Sequence, residues 1–163
     1  MRKKEEALIH YREMLRLNPG DNQGIRYSLL NLLLELNRPD QVDTLLDEHN
    51  NDWSSEWRYT QVLRAFQKEG DSPAAQEALE EALEQNPHVP DYLTGAKRIP
   101  NRLPNMISPG RESEAVSFAS THLNFWRKAP GAVAWLKAQT QTPEQKNVEK
   151  PGKKAKRGRR GKK

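Results

Sequence analysis

Four positions recur in a single register along this chain: Ala7, Tyr11, Met14 and Pro19 return as Ala75, Leu79, Ala82 and Pro87, each 68 residues further on. That offset is twice about 34 residues, the length of a repeating unit made of two antiparallel helices. A unit of this size cannot close a core alone, because each helix hides only one face, and stacked neighbours must cover the other. The recurrence therefore predicts an all-α fold of stacked helix pairs. In such units the second helix carries a small residue near its start, a bulky one four later, a small one three after that, and a terminal proline. Pro73 to Gln85 fits, and Gly70 supplies the turn five residues before Ala75. The middle copy has drifted: Gln41 stands thirty-four residues after Ala7, with Val42 one place off, and Trp53 stands thirty-four after Pro19. Two and a half repeats result.

Hydrophobic spacing places the helices. Ala7, Leu8, Tyr11, Met14, Leu15 and Leu17 mark a first, ending at Asn18-Pro19-Gly20. A second starts near Asp21 or Asn22, either able to cap it, and runs from Ile25 through Leu36, too apolar for one neighbour and so central. Val42, Leu45 and Leu46 mark a third helix, ending near His49-Asn50. Trp57, Tyr59, Val62, Leu63 and Phe66 mark a fourth, stopping before Gly70. Ser72 caps a fifth, with Pro73 at its first position. The next 25 residues hold five prolines and two glycines, leaving room for one short helix over Pro90 to Ala96. A helix from Arg111 or Glu112 to about Lys128 follows, and Pro130 opens a last short one that caps the stack.

Charge divides the chain. The net +5 combines a body of net −3 over residues 1–142 with a tail of net +8 from Pro143 to Lys163. The tail is low in complexity and apolar content, which predicts disorder. Only 34% of residues are apolar, against roughly 45–50% in ordinary domains, so thin solvent-rich layers are favoured over a compact enzyme core. Cysteine is absent, which excludes disulfides, thiolate metal sites and cysteine nucleophiles. Apart from Met1 itself, the residues from Met1 to Glu6 are charged, and no stretch approaches the ~18 apolar residues of a membrane span, so a soluble, cytoplasmic protein is expected. The expected division is a helical-repeat domain over 1–138 and a basic tail over 139–163. The domain has repeats at about 1–20, 21–53 and 54–87, then a Pro-rich connector and capping helices over 88–138.

The segments "LNPGDNQGIRYSLL", "EGDSPAA", "NPHVPDYL" and "SEAVSFA…W…PGAVAWL", in this order, resemble a group of bacterial tetratricopeptide-like proteins. The second half is similar to the suppressor-of-tumorigenicity-7 family of eukaryotes. The likeness covers about residues 5–138, and the two prolines flanking a short apolar turn in "NPHVPDYL" are its most specific part. It implies a TPR-like right-handed solenoid and repeat-type protein binding, with no catalytic activity to carry over. Some bacterial relatives carry a cysteine-rich zinc motif; without cysteine, that module is not expected here.

The residues also argue against chemistry. His10, His49, His88 and His122 have no i, i+4 pairing, no phosphate loop or nucleophile elbow occurs, and the paired carboxylates Glu5-Glu6 and Glu80-Glu81 fall on outward faces. No cofactor, metal or catalytic residue is expected, and the protein is read as no enzyme. An enzyme reading needs the Pro87 to Pro109 segment to shape a pocket lined by Tyr92, Lys97 and Arg98.

The expected working surface is a concave groove bordered by Gln23, Arg26, Leu30, Arg58, Gln61 and Val62, holding another protein or a peptide. Arg26 and Arg58 occupy equivalent places and are candidates to grip one acidic group together. The first helix lacks a preceding partner, so Leu8, Tyr11 and Leu15 are candidates for homodimer or partner contact. Lys153, Lys154, Lys156, Arg157, Arg159, Arg160, Lys162 and Lys163 give the tail electrostatic affinity for RNA, the ribosome or another polyanion without sequence readout. Two functions follow: a protein-binding adaptor whose tail adds contact to polyanions, or a nucleic-acid- or ribosome-associated protein whose helical body only dimerises. The body's negative charge argues mildly for the first. No membrane partner is expected.

Overall fold

The computed structural model describes residues 2–141. The basic tail lies outside them, and with it both the expected disorder and the polyanion-contact residues Lys153 to Lys163.

Among the described residues every regular element is helical: α1 (Arg2–Leu17), α2 (Ile25–Glu35), α3 (Pro39–Glu48), α4 (Ser55–Glu69), α5 (Pro73–Gln85), α6 (Val89–Leu93), α7 (Glu112–Lys128) and α8 (Ala132–Thr140). Each pair along the chain α1 to α5 packs side by side, while α7 packs on α4, α6 and α8. Among the described residues no helix is long and apolar enough to cross a membrane.

Two apolar clusters form. Leu8 of α1, Leu29, Leu30, Leu32 and Leu33 of α2, and Val42, Leu45 and Leu46 of α3 make the first. The central role expected of α2 follows from those four leucines, which cover more than one face. The second gathers Val62 and Leu63 of α4, Leu79 of α5, Val89 and Leu93 of α6, Phe118 and Trp126 of α7, and Leu136 of α8. Helix α4 belongs to both, with Trp57 in the first and Tyr59 in the second.

Helix α2 starts later than expected, at Ile25. Asp21, at φ 43°, and Gly24, at φ 68°, form a left-handed turn closed by the Gly24 N–H to the Asp21 carbonyl at 3.0 Å. From there the Asp21 carboxylate accepts the N–H groups of Ile25 at 2.6 Å and Arg26 at 3.0 Å, so it caps α2 from four residues back. Helix α6 is also shorter than expected, stopping at Leu93 because Gly95 takes φ 81°.

The junctions around α6 converge on one carboxylate. Glu114 is buried and accepts hydrogen bonds from the Ser55 N–H at 3.0 Å, Gln85 Nε2 at 2.9 Å, Asn86 Nδ2 at 3.0 Å and the Gly110 N–H at 2.7 Å. It thereby ties the start of α4, the end of α5 and the approach to α7 together. Burial opposes its charge, but the donors outweigh burial and hold its pKa below the usual carboxylate value. Asn86 completes the junction: its carbonyl accepts the Tyr59 hydroxyl at 2.6 Å and its side chain accepts the His88 N–H at 3.1 Å. This is a physical reason for asparagine at the head of "NPHVPDYL".

Candidate protein-binding surface

Two of the residues expected to border a groove do not reach the surface. Leu30 and Val62 are fully buried, one in each apolar cluster, and neither can meet a ligand. The expectation failed there because both helices bury more than one stripe, so the helical period alone does not say which stripe remains open.

Arg26 and Arg58 each hold a carboxylate, but the chain's own. Arg26 Nε lies 2.7 Å from Asp52 Oδ2 and its Nη1 2.9 Å from Asp21 Oδ2, while the Tyr27 hydroxyl donates to Asp52 Oδ2 at 2.8 Å. Burial works against the Arg26 charge, yet the hydrogen bonds to Asp52 and Asp21 raise its pKa above the ordinary arginine value. Arg58 Nη1 pairs with Glu81 Oε2 at 2.9 Å, and its guanidinium stacks 4.1 Å from the centroid of Trp53. Gln61 is half-buried and accepts from Arg58 at 3.2 Å, and Gln23 is exposed in the α1–α2 turn. The two arginines therefore serve separate networks, one reaching Asp52, 26 residues on, and the other reaching Glu81 of α5.

The first helix is not bare where expected. Leu8, Tyr11 and Leu15 turn toward α2 and pack on the first cluster. The outward apolar residues of α1 are Ile9 and Leu17, at 68% and 70% exposure.

A different concavity opens between α1 and α3, with α2 as its floor, enclosing about 400 Å³. Leu15, Leu29, Leu33 and Leu45 give it an apolar base. Arg12, Arg16 and His49 stand on its rim with Glu48. Arg12 Nη2 donates to Gln41 Oε1 at 2.8 Å, joining α1 to α3, and Arg16 is paired with Glu13. An apolar floor with Arg12 on its rim, holding no carboxylate among the described residues, can seat bulky apolar side chains and place a carboxylate at the edge. The available sequence signal was Arg12 and Arg16, one turn apart and flanking Leu15. Among the described residues no group of three or more His, Cys, Asp or Glu could hold a metal ion.

Residues 10–157 match the family described as ST7 protein. The suppressor of tumorigenicity 7 protein-like of Danio rerio is 33% identical over 131 residues, covering 69% of this chain and 24% of that protein. The Protein ST7 homolog of Drosophila melanogaster is 40% identical over 63 residues, covering 39% of this chain and 12% of that protein. The suppressor of tumorigenicity 7 protein-like of Homo sapiens is 39% identical over 62 residues, covering 38% and 11%. The chain thus spans about a quarter or less of the length of these relatives. No solved structure matches it significantly.

Proposed function

The chain belongs to the ST7 protein family, and from that premise we propose that it is a non-catalytic, cytoplasmic protein-interaction module whose basic tail adds electrostatic contact to RNA or another polyanion. In this reading α2 with α3, α4 with α5, and α7 with α8 are successive units of a short TPR-like solenoid related to bacterial tetratricopeptide-like proteins. Helix α1 then takes the place of the second helix of a preceding unit. The observation that carries the proposal is the α1–α3 cleft, where four leucines lie under a rim holding Arg12, Arg16 and His49. Its partner is a helix or peptide that inserts apolar side chains and presents an acidic group.

Affinity capture tests this with three forms of the protein: the full chain, a chain ending at Thr142, and Arg12→Glu/Arg16→Glu/Thr44→Arg, which reverses the rim and fills the cleft from exposed positions. Nuclease treatment accompanies each. A protein retained by the first two and lost from the third supports the adaptor. Loss of every interactor with nuclease or with the tail sinks it, and leaves the tail-driven nucleic-acid reading, which rests on nine Lys/Arg among the last fourteen residues.

A further inference from the structure

Residues 94–111 join α6 to α7 without regular structure. Connections longer than about 12–15 residues are uncommon in compact bodies and are usually either functional or linker segments. Both ends of this one are pinned. Lys97 Nζ pairs with Glu112 Oε1 at 2.8 Å, and the Lys97 N–H donates to the Asp91 carbonyl at 2.9 Å. At the far end Glu114 holds the Gly110 N–H, and a Cβ on Gly110 would stand 3.0 Å from the Gln85 carbonyl oxygen, so the chain is pressed against the end of α5.

Between those anchors the segment presents what an interface needs. Leu103, Met106 and Ile107 are 46%, 81% and 56% exposed, half of the large exposed apolar residues among those described, within five positions. Arg98, Arg102 and Arg111 are also exposed, and none holds a carboxylate among the described residues. By contrast Arg2, Arg16, Arg26, Arg38, Arg58 and Arg64 each hold one. Pro100 and Pro104 restrict the backbone, which lowers the entropy lost on binding. No backbone-to-backbone hydrogen bond among the described residues engages positions 98–107.

We infer that this segment is a docking surface for an acidic protein segment carrying bulky apolar side chains, separate from the α1–α3 cleft. The unpaired guanidinium groups match carboxylates, and the three apolar side chains match an apolar stripe. The open backbone groups favour a peptide, which returns carbonyls and N–H groups at matching spacing, over a lipid surface, which returns none at fixed spacing.

The test selects twelve-residue peptides from a random display library on the full chain. Counter-selection uses Arg98→Glu/Arg102→Glu/Met106→Asp, with a milder Arg98→Ala/Arg102→Ala variant beside it and thermal melting as the check on folding. The expected survivors combine two or more Asp or Glu with Leu, Ile, Phe or Met. Resynthesised with a fluorophore, they should bind the charge-reversed form about tenfold or more weakly. The alanine form should lie between, and Arg12→Glu/Arg16→Glu should leave the affinity unchanged. The inference is overturned if no peptide discriminates the variants, if discriminating peptides lack acidic residues, or if the loop variants lose only binding to phosphatidylserine vesicles. Because the cleft variant is carried as a control, failure here is distinguishable from failure of the cleft reading.

Discussion

His122 sits on α7 with its ring stacked on Phe118, the centroids 4.3 Å apart, and its Nδ1 2.8 Å from Thr121 Oγ1. Its Nε2 is buried with no partner among the described residues. Burial removes an imidazolium from water and pushes the pKa from 6.5 down to about 4. The unfolded chain therefore binds a proton at this site before the folded one does. The stabilisation from the neutral ring is complete above pH 6.5 and is lost as pH falls toward about 4, on the order of 3 kcal/mol in all. Urea unfolding between pH 7 and 4.5 should show this loss, and His122→Leu should flatten the profile above pH 5. An unchanged profile in the variant would move the acid sensitivity to the carboxylates. Glu114 adds its own loss at lower pH, because its folded pKa is depressed below 4.5. At this scale the sequence was least legible: His122 stood out only as a histidine without an i, i+4 partner, and Leu30 and Val62 read as groove residues. Each of these errors concerns which way a side chain faces.

Helices, in contrast, were legible in number and order, and several of them in their bounds. Pro73–Gln85 has the expected bounds because local chemistry sets both. Ser72 accepts the Ala75 N–H at 3.2 Å, and Pro73 has no N–H to leave unpaired. Ser72→Ala should lower stability by about 1 kcal/mol in urea unfolding, and Ser72→Asp should restore most of it; equal loss in both would point to packing rather than capping. The start of α2 was misplaced because its cap acts at a distance: Asp21 reaches Ile25 across a turn that needs φ 68° at Gly24. A capping residue normally adjoins its helix, so spacing alone pointed to Asp21 or Asn22 as the boundary. The α1–α3 cleft was missed for a related reason, since it exists only once Gln41 and Arg12 meet across 29 residues.

For the molecule as a whole, α4 decides whether the two apolar clusters unfold together. Trp57 is fully buried in the first cluster, meets Tyr27 edge-on with centroids 5.6 Å apart, and donates Nε1–H to the Leu46 carbonyl at 3.3 Å. Two residues on, Tyr59 faces the second cluster and reaches Asn86. Wild-type unfolding should therefore be one transition by both circular dichroism and tryptophan fluorescence. Trp57→Ala should cost about 3–5 kcal/mol, concentrated in the first cluster, and separate the two signals into distinct midpoints. Coincident midpoints in that variant would show that α4 is not the bridge. What the sequence by itself determined is the helical class, the positions of the helices and the charge divide between body and tail, because hydrophobic period, caps, prolines and net charge are read within a few residues. What only the tertiary structure decided is which faces stay open, which arginines are already neutralised, and that the connector from α6 to α7 is anchored at both ends. Those depend on contacts between residues tens of positions apart, such as Ser55 with Glu114, and a helix buried on more than one face carries no local mark of the side it leaves bare.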